Sequence, residues 1–349
     1  MKRIIRLKEA AVNRNAVLTF LLTVIGLAIA CFVFKYSGIT MKSLRNSFLT
    51  FDLRYLAAVI GASSGIIYFL SKKWSTIVTV LVKIERKAKG YFYCYSAMGL
   101  LSNTFVPHVG NYGLKAFSLN GLYSVPLSVG ALSVLMEQLF DLTVIIVFAV
   151  PSLLYVLGIV PAGSAMLIIF LSASAVVFLS VYRPRLLFTA ILSGYKFIYR
   201  FVKRLTRNRN FNPSIEGIDS IILDRHIDAK LLFYSYMKYG FTALKLFLVM
   251  AALKMRVTYI DILLVTTLVQ IVVLVGSTPC AIGSSEAGWL IVLTLLGIDK
   301  LEIGNFLIVE RVIGSAALIL VTFLSYLYYT VNKSITRPSL ASAKEAMNG

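Results

Sequence analysis

The sequence predicts an all-α polytopic membrane protein, an inverted-repeat helical bundle with two re-entrant broken-helix hairpins. Three features point there. The 349 residues are 58% hydrophobic and have a mean hydropathy of +0.84, more apolar surface than a soluble fold of that length can hide. The apolar residues fall into runs of roughly spanning length, two of which are interrupted by Pro and Gly. A pattern also occurs twice: Pro107, Gly110, Gly121, Glu137, and then Pro279, Gly283, Gly297, Glu310, with Pro-to-Glu separations of 30 and 31 residues. Paired Gly/Pro-interrupted segments in corresponding halves mark the binding site in inverted-repeat membrane folds. Chance is the competing account, because Gly is common in membrane helices.

Taken in order, the continuous runs are 16–34, 55–70, 125–150, 162–182, 229–253 and 303–330. Each approaches the roughly 20 apolar residues that a spanning helix needs. The first has no small-residue cleavage site and reads as a span, not a signal peptide. The interrupted runs are 91–123, broken at SNTFVPHVGNYG, and 259–298, broken at VGSTPCAIGSSE. Pro and Gly free backbone groups that lipid cannot satisfy. Both regions therefore read as re-entrant hairpins, with pairs of full crossings as the alternative. The chain reads as a single membrane domain over 1–349, with repeat 1 at about 91–150, a basic cytoplasmic connector at 183–228 and repeat 2 at about 259–330.

The formal charge of +20 sits mainly between the apolar runs. That suits anionic lipid headgroups and leaves no soluble domain to hold nucleic acid. The N-terminus carries Lys2, Arg3, Arg6, Lys8 and Arg14; segment 71–90 has six basic residues and one acid; segment 183–210 has eight and none. The positive-inside rule puts all three in the cytoplasm, with the C-terminal tail. Segment 35–54, with four basic residues and one acid, must then face outward. This parity makes the two broken regions enter from opposite sides. Residues 186–209 read as a basic amphipathic helix on the inner leaflet or as an ordinary positive-inside connector.

Charges within membrane helices cost about 2.5–3.5 kcal/mol each at a helix centre, so they mark sites. Glu137 and Asp141 are four apart and share a helix face; Lys238 and Lys245, seven apart, do likewise. Glu310 and Arg311 lie in the last run and Glu286 follows the second break. These groups are expected to meet in one polar cavity, with simple pairing or snorkelling of the lysines as the bland account. The breaks add Asn103, His108, Asn111 and Lys115 on one side and Ser284 and Ser285 on the other. Broken-helix N-termini suit phosphate, and Lys115 beside Gly110 and Gly113 is the expected phosphate ligand. The acids would then face a cationic or hydroxyl-rich part of the same ligand. Ser and Asn also serve as helix caps. Tyr234, Tyr236 and Tyr239 read as interface aromatics. Cys31, Cys94 and Cys280 read as packing residues, and two histidines build no metal site, so no cofactor, metal or catalytic group is expected.

The stretch PHVGNYGLKAFSL with MEQLFD, and STPCAIGSSEAGWLIVLTLLGI with VERVIG, resemble the two blocks of the lysylphosphatidylglycerol synthase transmembrane-region family, the flippase-like domain. Lys115, Glu137, Asp141, Pro279, Gly283, Glu286 and Arg311 match its pattern, over about residues 15–330. GLKA lacks the acid usual there, Gln138 stands where Arg is common, and Cys280 and Ala281 replace two glycines. The resemblance implies movement of a lipid between leaflets, often an aminoacylated phospholipid or a polyprenyl-linked sugar. With the buried charges and the basic inner face, the expectation is a multi-pass flippase of the inner (cytoplasmic) membrane moving an anionic, polyprenyl-linked or aminoacylated lipid. The alternative is a non-transporting partner of a glycosyltransferase or lipid synthase. An aminoacyl-lipid synthase of this family would carry a large soluble domain after the membrane part. Only about 19 residues follow the last expected helix, so no enzyme activity is expected.

Overall fold

The computed structural model describes residues 24–82, 90–105, 109–182, 225–276 and 281–336, and among these it is all-helical. The helices are α1 (Val24–Tyr36), α2 (Met41–Thr50), α3 (Arg54–Leu81), α4 (Tyr91–Phe105), α5 (Val109–Tyr123), α6 (Leu127–Val156), α7 (Ala162–Tyr182), α8 (Arg225–Ala252), α9 (Tyr259–Gly276), α10 (Ser284–Leu295) and α11 (Lys300–Thr336). Four of them, α3, α6, α7 and α11, are long and apolar enough to cross a bilayer. This is a multi-pass helical membrane protein. His108, Pro107, Pro279, Cys280, both termini and the basic segment 186–209 lie outside the described residues.

Helix ends follow from local chemistry. α1 stops at Gly38, which takes φ +68°, and the chain turns by 82° into α2. Thr40 caps α2 by accepting the Ser43 amide at 3.1 Å, and Ser43 returns the bond at 3.1 Å, a capping box. Asp52 accepts the Arg54 amide at 3.0 Å where α3 starts. Pro126 precedes α6, where its missing N–H costs nothing. Gly158 (φ +71°) ends α6, with the Ile159 amide bonding back to the Leu154 carbonyl at 2.9 Å. At the start of α9, Asp261 accepts from the Thr258 amide at 2.8 Å and from the Tyr155 hydroxyl at 2.5 Å, tying that helix to the end of α6.

Segment 35–54 contains α2, because Thr40 and Ser43 supply a helix start. Two expectations need correction. The run expected over 55–70 continues to Leu81, so Lys73 belongs to the bundle and not to a cytoplasmic loop; it is fully buried. Its neighbours Leu70, Trp74, Ile77 and Val78 are buried as well, so the inward face simply carries on. Tyr239 is a core residue, 5% exposed. Its hydroxyl donates to the Leu263 carbonyl at 2.6 Å and also pairs with Thr267, which joins α8 to α9.

α3 lies along α8, and the main core gathers Val59, Phe148, Met250, Val265, Trp289 and Phe306 from six helices. α4 packs on α5, and α9 packs on α10. Close approach of α5 to α4 and α6 depends on missing side chains. A Cβ on Gly110 would lie 2.7 Å from the Ser102 carbonyl oxygen, and one on Gly130 of α6 would lie 2.9 Å from the Ala116 Cα of α5. By contrast α7 leaves Leu167, Phe170, Leu171 and Phe178 exposed, an apolar face suited to lipid.

Gly130→Leu should therefore force α5 from α6 and destabilise the protein by roughly 1–3 kcal/mol. Gly121→Ala, whose Cβ would meet nothing within 4 Å, should leave stability unchanged or slightly raised. Thermal unfolding of both variants in detergent checks the contrast.

Candidate functional site

The site is built on α6. Glu137 and Asp141 stand one helical turn apart and reach toward three other helices. On one side Lys115 of α5 donates to both Glu137 oxygens, at 3.0 and 2.8 Å. Both side chains are out of solvent, at 0% and 1% exposure. The Trp74 ring lies 5.1 Å from the Lys115 ammonium, a cation–π contact, and its indole N–H donates to the Ser133 hydroxyl at 3.1 Å. On the other side Asp141 is shared between two lysines. Lys73 of α3 binds Oδ1, and Lys238 of α8 binds Oδ2 at 2.6 Å. Lys73 also donates to Ser235 at 3.2 Å.

A second set of pairs closes the far side. Lys245, two turns along α8 from Lys238, donates to Glu310 of α11 at 2.8 Å. Arg311 donates Nε and Nη2 to the same Glu286 oxygen at 3.1 and 2.8 Å. The other Glu286 oxygen accepts the Gly283 amide at 2.7 Å, so Glu286 caps α10 while it holds α11. Gly283 takes φ +84°, and a Cβ there would lie 2.4 Å from the Gly26 carbonyl oxygen. The N-terminal end of α10 thus seats against α1.

Between the two sets lies a cavity of 540 Å³, within the range of small-molecule sites. It is lined by nine of the residues expected from the sequence: Asn103, Asn111, Glu137, Asp141, Lys238, Lys245, Ser285, Glu310 and Arg311. Lys115 and Glu286 stand behind this lining and reach it through their partners. Ser284 is buried at the start of α10, with its hydroxyl 3.3 Å from the Ala281 carbonyl. The lining is amphipathic: Leu70, Leu100, Leu142, Ile145, Leu246, Val269, Val273 and Leu274 supply the apolar part. Among the described residues no group of three or more His, Cys, Asp or Glu side chains could hold a metal ion.

Lys115 differs from its expected role. Its ammonium is enclosed and paired with both Glu137 oxygens, so it offers no open charge to a phosphate. The cations that do face the cavity are Lys238, Lys245 and Arg311. Sequence reasoning missed Lys73, Gln270, Thr242 and Thr266, of which the last three line the cavity. Two signals were available: the inward face of α3 running on past Leu70, and a lone amide at 270 within the apolar run ILLVTTLVQIVVLV.

Glu137→Gln should leave Lys115 buried and unpaired, at a cost of about 3–5 kcal/mol. Glu310→Gln should cost much less, because Lys245 and Glu310 remain 19% and 22% exposed. Lys115→Met combined with Glu137→Leu should regain much of the loss. Detergent melts of the three variants give the ranking.

Comparison with known proteins places this arrangement in a family. The UPF0104 membrane protein PH1989 of Pyrococcus horikoshii is 22% identical over 327 residues, covering 84% of this chain and 92% of that protein. A family model described as the lysylphosphatidylglycerol synthase TM region matches residues 17–324, a span containing every charged pair of the cavity. On that match, the chain belongs to the lysylphosphatidylglycerol synthase transmembrane-region family.

Proposed function

We propose that this protein carries a lipid between the leaflets of the inner membrane, acting as a transporter and not as a catalyst, with both termini in the cytoplasm. The observation behind this reading is the amphipathic cavity: charged groups from α6, α8 and α11 share one chamber with a leucine- and valine-lined wall. A lipid has the matching division between headgroup and chain. A soluble substrate would need no such wall, and the family is one of membrane domains.

Helix length supports the re-entrant part of the proposal. α4 and α5 have 15 residues each, and α10 has 12. At 1.5 Å per residue these reach roughly 18–22 Å, short of the ~30 Å hydrocarbon core. Each hairpin is followed by a long helix, α6 or α11. Each also sends one charge from its second arm to that helix. Lys115 reaches Glu137 in the first unit, and Glu286 reaches Arg311 in the second. The positions correspond and the signs are exchanged. This is the relation expected of two repeats that diverged while keeping a buried pair, and it supports the inverted-repeat reading.

Reconstituted into vesicles with a fluorescent phospholipid, the protein should make the inner-leaflet label accessible to an impermeant quencher at a rate well above protein-free vesicles. Equal rates would overturn the carrier reading. Separately, Leu122→Cys in a chain lacking Cys31, Cys94 and Cys280 should label from the cytoplasmic side. Labelling from outside would make the first hairpin a crossing and remove the inversion.

A further inference from the structure

Helix α2 turns its polar side inward. Ser43 and Ser47 are half-buried, with the Ser43 hydroxyl 3.4 Å from Asn305 Oδ1 of α11 and the Ser47 hydroxyl donating to the Ser43 carbonyl at 3.0 Å. The opposite side carries Met41, Arg45, Phe48 and Leu49, spaced i, i+4, i+7 and i+8, which share one helical face. All four are exposed, Met41 by 87% and Leu49 by 73%. Lys42 borders them and is exposed as well. In a soluble protein such an apolar stripe would pack inward and the serines would meet water.

Position and charge say what covers that face. The chain turns by 82° from α1 into α2, so α2 lies across the end of the bundle where α1 stops and α3 and α11 start. Its 10 residues reach about 15 Å, too short to cross a bilayer. On the last turn of α1, Phe32 and Tyr36 are exposed and stack at 5.8 Å, and Lys300 donates to the Tyr36 hydroxyl at 2.6 Å. Rings with a polar tip sit at the membrane–water boundary. Lys35, Lys42, Arg45 and Arg54 are all exposed. Asp52, the single acid of 35–54, is engaged with the Arg54 amide at 3.0 Å. On the outward placement expected from charge parity, four basic residues run against the positive-inside rule; binding of anionic headgroups accounts for them.

We propose that α2 is an in-plane anchor lying in the lipid interface at that end of the bundle, with Met41, Phe48 and Leu49 among the upper acyl carbons and Lys42 and Arg45 on the phosphates of anionic lipids. Long basic side chains on an apolar face reach the headgroups by snorkelling. Through Ser43 at Asn305, and through Ile39 packed where a Cβ on Gly304 would lie 2.5 Å from its Cδ1, the anchor fixes the level of α11 in the membrane. This surface is separate from the cavity, and the proposal stands whether or not the cavity carries a lipid.

The test is fluorescence quenching in the full chain lacking Cys31, Cys94 and Cys280, with a bimane on Leu49→Cys, reconstituted into phosphatidylcholine vesicles. A nitroxide on the acyl chain near the glycerol should quench the label strongly, a nitroxide near the chain end weakly, and aqueous iodide little. Met41→Cys, on the same face, should give the same order and serves where a label at position 49 disturbs the helix. At equal low mole fraction, the shallow nitroxide carried on phosphatidylglycerol should quench more than the same nitroxide on phosphatidylcholine, because two bases enrich anionic lipid locally by about tenfold or more. Lys42→Gln with Arg45→Gln should equalise the two lipids and keep the shallow depth, whereas Lys42→Arg with Arg45→Lys should keep the preference. Equal quenching by the two lipids in the chain with Lys42 and Arg45 intact would overturn the anionic selection, and a preference unchanged in the double Gln variant would refute its assignment to these side chains. Strongest quenching by the deep nitroxide would place α2 in the hydrocarbon core and overturn the anchor. Quenching by iodide alone would put the face in water. Shielding from iodide and lipid alike would mean that a second copy or another protein covers it, and either result sinks the proposal.

Discussion

The structure depends on what α6 does with two carboxylates. A helix of 30 residues in an apolar setting has little to fix its rotation, because lipid and neighbouring helices are equally apolar. Glu137 and Asp141 remove that freedom. They lie on one face, and their partners come from α5, α3 and α8. An ion pair of this kind adds little net stability against a hydrophobic replacement, but each member is costly to leave alone. Registry is therefore what the pairs supply. Lys115 seats α5, Lys73 anchors the buried face of α3, and α8 is held with its lysines toward the chamber.

Close packing around the short helices imposes a complementary constraint. Gly110 lets α5 approach α4, and Gly130 lets α6 approach α5. Gly283 sits against α1, and Glu286 caps α10 while it holds Arg311 of α11. Glu286 thus satisfies backbone at the start of α10 and, through Arg311, brings charge to the cavity wall.

Much of this was legible in the sequence, and the remainder was not for identifiable reasons. Long apolar elements such as α7 were readable to the residue, since hydropathy and Pro/Gly punctuation determine them. Intramembrane acids and bases were readable as groups that must meet, because burial of charge is expensive. Their pairings were not. Nothing in the spacing shows that Lys115 takes Glu137 whereas Lys238 shares Asp141 with a lysine from α3. Lys73 was hidden by its company: next to Lys72 and after an apolar run, it reads as the edge of a loop. A lysine can sit inside the bundle when a carboxylate meets it, and that depends on a residue 68 positions away. The first break was narrower than its polar string suggested, because Ser102, Asn103, Asn111 and Gly113 are all helical.

Sharing Asp141 between two lysines gives the chamber a property that isolated pairs lack. In a closed pair, a ligand must compete with a full counter-charge at short range. At Asp141 the carboxylate is divided between the enclosed Lys73 and the cavity-lining Lys238. The arrangement also explains why Lys115, with a carboxylate to itself, is structural, although its sequence context beside the break looks equally suited to binding. The cavity wall is then distinguished less by which residues are charged than by where the charges fail to balance. That imbalance falls on the wall of the chamber into which α6, α8 and α11 project.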